Sequence, residues 1–190
     1  AALGRDRSEP IDDLVALRMG VRADREGVLL RDFHTAQNVR RSDPTKGVEP
    51  TVVTERYYLS DAAFLVGLEG RDVAILRRLD DALAAPRWPI FLGRKACLPS
   101  EDIRVDGGLR ENGPLENALA SYPRIAPGRE DAQAPVRVVI ECTSGTDGEL
   151  RQDVPVSFVP DQRRFRVRRV KTSFQAIAHA EVRPGGEACG

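Results

Sequence analysis

Residues 35–54 read TAQNVRRSDPTKGVEPTVVT. They lie between two stretches with strand character, VLLRDF at 28–33 and TERYYL at 54–59. The segment has no helical period and little alternation, and it carries prolines at 44 and 50. A structureless connection of this length inside a compact domain argues against the flanking elements unless the loop has a function. The steps Asp43-Pro44 and Lys46-Gly47 supply turn chemistry near its middle. Either the flanking strands are misassigned or this stretch, called the arm below, has a function.

Working outward, Ser8 and Pro10 open PIDDLVALR, which reads as a short helix with Asp12 and Asp13 in the favourable first turn. MGVRAD, the turn REG and VLLRDF read as a hairpin. After the arm, TERYYL runs into a more apolar strand, DAAFLVGLEG. DVAILRRLDDALAAP is the clearest helix: Val73, Leu76, Leu79 and Leu83 form one stripe between Asp72 and Pro86. WPIFLG reads as a further strand. One strand placed before this series gives βαββαβ, the ferredoxin-like order. Its free sheet face is the one RNA-recognition domains use.

The texture changes after Pro99. Residues 99–135 are rich in Gly, Pro, Asp and Glu, interrupted by PLENALASY. VRVVIECT is a strong strand, and the turn SGTDG leads to ELRQDVPVSF as a second hairpin. The basic run DQRRFRVRRVK follows, and RPGGEACG reads as a loose tail. The expected organisation is α+β: a ferredoxin-like domain over 1–98 and a smaller β-rich domain over 99–190. AALGR, without an initiator Met, reads as the end of a helix stopped by Gly4, so the chain is expected to be truncated or processed at its N-terminus.

Composition bounds the function. A hydrophobic fraction of 41% supports a real core. No apolar run approaches the roughly 18–20 residues of a membrane span, and no signal peptide is present. Cys97, Cys142 and Cys189 lack C-x-x-C spacing, as expected of reduced thiols in the cytoplasm. The formal net charge is zero, so bulk charge gives no case for nucleic acid. Lysine occurs only at 46, 95 and 171; all other cations are arginine. Arginine favours phosphate and base contacts, but GC-rich genomes also produce Arg-rich chains, and only position decides.

No phosphate loop, dinucleotide fingerprint, HExxH or nucleophile elbow occurs. His34 and His179 have no nearby Cys or His, so no zinc site is expected. What remains clusters around the arm. Asp32, Phe33 and His34 close the entering strand. Arg40, Arg41 and Lys46 lie within the arm. Thr54, Arg56, Tyr57 and Tyr58 open the leaving strand, and Arg94 and Lys95 follow FLG. Aromatic rings stack on bases while neighbouring cations neutralise phosphate. Alternation sends Tyr57 and Tyr58 to opposite sides, so one belongs to a core. His34 is either a hydrogen-bonded structural residue or part of a site. Arg164, Arg166, Arg168 and Arg169 either line a groove or face water.

RDFHT, then a long insertion, TERYYLSDAAFLVGLEG and PRWPIFLGRKACLPS resemble the CasD family of CRISPR-associated proteins, type I-E members of the RAMP superfamily. PLENALASY and DVPVSF with its basic run follow in the same order, so the resemblance covers about residues 10–171. It implies a ferredoxin-like domain with a protruding thumb hairpin, then a smaller domain. The implied function is a cytoplasmic, non-catalytic subunit of the Cascade surveillance complex in antiviral defence, without a cofactor. It would hold the 5′ handle of crRNA, contact a backbone subunit and the large subunit, and meet target DNA only through the assembled complex. RNA contacts are expected from His34, Arg40, Arg41, Lys46, Thr54, Arg56, Tyr57, Arg94, Lys95, Arg164, Arg166, Arg168 and Arg169. The alternative is metal-independent cleavage of CRISPR repeat RNA, as in type I-C relatives, for which His34, Tyr57 and Lys95 are suitable residue types. A purely structural adaptor is the third reading. Against the family pattern, the chain is expected to lack the first strand, and no counterpart is expected for the tail beyond Lys171.

Overall fold

The computed structural model describes residues 1–41, 43–125, 134–143, 147–159 and 162–177. Its elements are α1 (Asp12–Val15), β1 (Arg18–Arg25), β2 (Val28–Arg40), β3 (Val48–Ser60), β4 (Ala63–Glu69), α2 (Val73–Ala84), α3 (Leu115–Ser121), β5 (Val136–Glu141), β6 (Glu149–Ser157) and β7 (Arg164–Gln175). Five strands form one antiparallel sheet in the order β4-β1-β5-β7-β6, and β2 and β3 form a separate two-stranded ribbon. The fold is α+β. No helix among the described residues is long and apolar enough to cross a membrane.

The arm is a continuous hairpin and is longer than 35–54. Pairing runs from Val28 opposite Ser60 to Arg40 opposite Val48. At about 3.3 Å per residue, each 13-residue strand is about 40 Å long. The turn uses the chemistry in its sequence: Asp43 accepts from the Thr45 amide at 3.0 Å, opening a short 3-10 turn, and Gly47 takes φ 70°. Neither strand buries a residue fully.

Three local expectations are corrected. β1 does not pair with β2; it pairs with β4 and β5, while β2 leaves the sheet with β3. β1 is largely buried and belongs to a core, whereas β2 is exposed or only half-buried along its whole length. The second hairpin is β6–β7, with β7 lying between β5 and β6. WPIFLG forms irregular turns, not a strand. The short helix expected in PIDDLVALR is present as α1, a single turn. The 98/99 position lies in the connection between α2 and α3, and the sheet crosses it, because β1 pairs with β5. The expected tail RPGGEACG, His179, Cys189 and most of SGTDG lie outside the described residues.

The core explains how the helices sit. β5 alternates buried Val136, Val138 and Ile140 with partly buried neighbours. Gly20 and Gly67 face each other across β1 and β4. A Cβ on Gly20 would lie 2.7 Å from Leu119 Cδ1, and one on Gly67 would lie 2.5 Å from Leu115 Cδ1. The two glycines thus make the seat into which α3 presses its buried leucines. Beneath α3 lies Arg22, fully buried. Its Nε and one Nη bind Asp24 at 2.6 and 2.8 Å, and the remaining donors go to the carbonyls of Leu119, Tyr122 and Pro123. Asp24 also accepts from the Ile125 amide at 2.7 Å. All five guanidinium N–H groups are used, and the C-terminal end of α3 is satisfied by a side chain from β1.

Candidate nucleic-acid interface

The hairpin's register sorts the sequence candidates onto faces, because residues directly opposite share a side and successive residues alternate. Asp32 stands opposite Arg56, His34 opposite Thr54, and Leu30 opposite Tyr58, all on one face. Tyr57 is opposite Arg31, and Phe33 opposite Glu55, on the other. The alternation of the two tyrosines is realised. Tyr57 is 61% exposed, while the Tyr58 hydroxyl is buried, with no hydrogen-bond partner among the described residues.

The 91–98 segment covers Tyr58. The Leu92 amide donates to the Cys97 carbonyl at 2.7 Å, and the Cys97 amide to the Arg94 carbonyl at 3.0 Å, which closes a tight turn. Gly93 makes the closest approach, at φ 77°; a Cβ there would lie 3.3 Å from both Arg56 Nη1 and Tyr58 Oη. Arg94 pins the turn to the hairpin. Its Nε donates to Asp32, and its Nη2 donates to Thr54 Oγ1 at 3.2 Å. Thr54 Oγ1 in turn donates to the His34 carbonyl at 3.4 Å. The structure therefore brings together His34, Thr54, Arg56 and Arg94, with Lys95 next along the turn.

Ion pairing separates committed cations from free ones. At the base, Arg31 pairs with Glu55 and Arg94 with Asp32, which leaves Arg56 and Lys95 with no ion pair among the described residues. At the tip, Arg41 pairs with Glu49, and Lys46 with Asp43 at 3.7 Å, leaving Arg40. Among the described residues the base thus carries two cations without an ion pair and the tip one. Along the ribbon Arg40, Arg41 and Lys46 lie about six to eight residues beyond Thr54, so tip and base form separate contact zones.

The arginines of β7 lie elsewhere, in the main sheet. Arg168 is mostly buried and bonds Asp153 twice at 2.7 Å, with Glu141 at 3.6 Å. These bonds hold the Asp153 carboxyl below its ordinary range. Arg166 donates to the Val15 carbonyl and Arg169 to the Gly148 carbonyl. Arg164 is exposed. Arg163, which the sequence did not single out, lies over the rings of Phe158 and Phe165 at 5.7 and 5.1 Å. Two further participants were missed as site residues, Asp32 and Gly93. Asp32 was legible as the carboxylate facing Arg56, and Gly93 as the glycine preceding a basic pair. Among the described residues no His, Cys, Asp and Glu cluster could hold a metal.

A sheet protein with a protruding ribbon and surplus cations at the ribbon's base is equipped to touch a polyanion. Comparison gives this class a family. The model for CRISPR-associated protein (Cas_Cas5) matches residues 1–171. This chain belongs to the Cas5 family of CRISPR-associated proteins. The CRISPR system Cascade subunit CasD of Escherichia coli (strain K12) is 34% identical over 98 residues, covering 50% of this chain and 43% of that protein. The match therefore spans less than half the length of that curated relative. A crystal structure of a Cas protein superposes with a TM-score of 0.73 at 39% identity, over 95% of this chain and 79% of that one. A chain of a CRISPR RNA-guided surveillance complex gives 0.69 at 33%, over 93% and 75%.

Proposed function

We propose that this chain is a subunit of a Cascade surveillance complex in CRISPR defence, and that it holds the 5′ handle of crRNA without cutting it. The family match and the likeness to CasD support the complex. The observation that carries the RNA contact is the pair of unneutralised cations, Arg56 and Lys95, at the base of the hairpin. Thr54 and His34 stand beside them on the same face. Arg40 adds a cation at the tip. The exposed opposite face, with Leu29, Phe33, Tyr57 and Leu59, is offered to a neighbouring subunit or to stacked bases. The partners are crRNA, a backbone subunit and the large subunit, in the cytoplasm, with target DNA reached through the assembled complex.

The non-catalytic reading is supported by the register. His34 and Tyr57 lie on opposite faces of the ribbon, so the residues suited to cleaving RNA do not converge. The test is fluorescence anisotropy with labelled handle RNA and a scrambled control. Three phosphate-contacting cations at roughly 0.7 each give a log–log salt slope of about −2. A slope near zero, or equal affinity for scrambled RNA, refutes handle recognition. Incubating repeat RNA with the chain in EDTA is expected to leave it intact; a discrete handle product overturns the non-catalytic assignment.

A further inference from the structure

We infer that Arg94 is a positioning residue that touches no RNA: with Asp32 it forms a latch that holds the 91–98 turn on the hairpin and so places Lys95 beside Arg56. The inference rests on the RNA-binding reading above and refines that site. Arg94 is 18% exposed in its side chain, the least exposed cation of the arm region with an ion pair, and its donors point into the protein at Asp32 and Thr54. Both acceptors belong to the hairpin, one on each strand, so a single guanidinium ties the turn to β2 and β3 together. Arg56 stands directly opposite Asp32, yet the Asp32 carboxylate is taken by Arg94. The latch therefore has a second consequence: it occupies the carboxylate that would otherwise neutralise Arg56. Lys95 follows in a turn closed by the Leu92–Cys97 and Cys97–Arg94 backbone bonds, so fixing Arg94 fixes the stem of Lys95.

The latch and a direct phosphate contact by Arg94 predict opposite signs for one substitution. If Arg94 touched phosphate, Asp32→Asn would free it and tighten RNA binding. In the latch, Asp32→Asn loosens the turn and weakens binding.

The experiment measures handle-RNA affinity, its salt slope and amide exchange across 91–98 for Arg94→Ala, Asp32→Asn, the swapped pair Asp32→Arg/Arg94→Asp, and Arg31→Ala as a control on the opposite face. Arg94→Ala and Asp32→Asn should each weaken binding about tenfold, as expected for losing a charged hydrogen bond. The slope should fall in Arg94→Ala, where the freed Asp32 neutralises Arg56, and hold in Asp32→Asn; exchange at 91–98 should speed up in both, and the swap should recover most of the affinity. Tighter binding by Asp32→Asn overturns the latch. So does exchange at 91–98 that neither substitution changes. Should the unaltered chain bind no RNA, the RNA-binding reading fails and the positioning role fails with it. Exchange then judges the structural contact alone.

Discussion

Replacing Arg22 by methionine tests how the sheet and α3 are joined. Arg22 is 0% exposed and makes five hydrogen bonds, two to Asp24 and three to main-chain carbonyls. Arg22→Met keeps an unbranched apolar stem and removes every donor. It strands the Asp24 carboxylate, whose side chain is also fully buried. Breaking a buried pair from one side costs about 3–5 kcal/mol. Three carbonyls also lose a donor, though relaxation and water entry absorb part of that. The expected loss is about 4 kcal/mol, against the roughly 5–15 kcal/mol that stabilises a whole domain. With a urea m-value of about 2 kcal/mol/M, the unfolding midpoint falls by about 2 M. The double variant Arg22→Met/Asp24→Leu removes the stranded charge as well. It should lose only about 2 kcal/mol, less than the single variant, the signature of coupled neighbours. A loss below about 1 kcal/mol in Arg22→Met, or a double variant equal to the sum of the singles, refutes the network.

Leu119→Ala should cost about 3–4 kcal/mol by urea unfolding, because the glycines of its seat have no side chains with which to refill the cavity. Gly67→Ala at the same seat should cost about 1–3 kcal/mol by overpacking, since its Cβ would meet Leu115. Glu26, Glu116 and Asp153 are held below their ordinary range by hydrogen bonds from Arg137, Arg18 and Arg168, and Asp13 is lowered to about 2 by Arg5. A carboxyl lowered on folding contributes stability above its unfolded value and loses it as pH falls through the folded one. A circular-dichroism pH titration should therefore show stability lost from about pH 4 down to pH 2, and not on approaching neutrality. In RNA binding, Arg56→Ala should take about 0.7 off the salt slope. Arg41→Ala, which releases Glu49 from an existing pair, should change the slope by less than Arg56→Ala does.

The arm was legible through the family resemblance of its flanks, RDFHT and TERYYLSD, with which the turn residues at Asp43-Pro44 and Lys46-Gly47 agree. Its pairing was harder to read. The short Glu26-Gly27 link invites a β1–β2 hairpin, but β2 pairs along its length with β3 and stays exposed, while β1 takes β4 and β5 as neighbours in the core. The β6–β7 pairing had a usable clue in Pro155, which lacks a donor and so belongs on an edge strand. WPIFLG has strand composition, yet Trp88, Phe91 and Leu92 stay exposed and no strand pairs with them. At the interface, residue types were legible but their commitments were not. Arg22, Arg94 and Arg168 look like Arg56 in the sequence, yet each is spent on a carboxylate contributed by the fold. Arg22-Ala23-Asp24 was the readable case, since an i, i+2 spacing on a strand puts both charges on one face.

The most direct test of the account is photo-crosslinking of 4-thiouridine-substituted handle RNA to the chain, with adducts located by mass spectrometry. Adducts confined to peptides that hold His34, Arg40, Thr54–Tyr58 and Lys95 are the predicted result. Adducts on β7 at Arg164–Arg169, or none at the base of the hairpin, would contradict it.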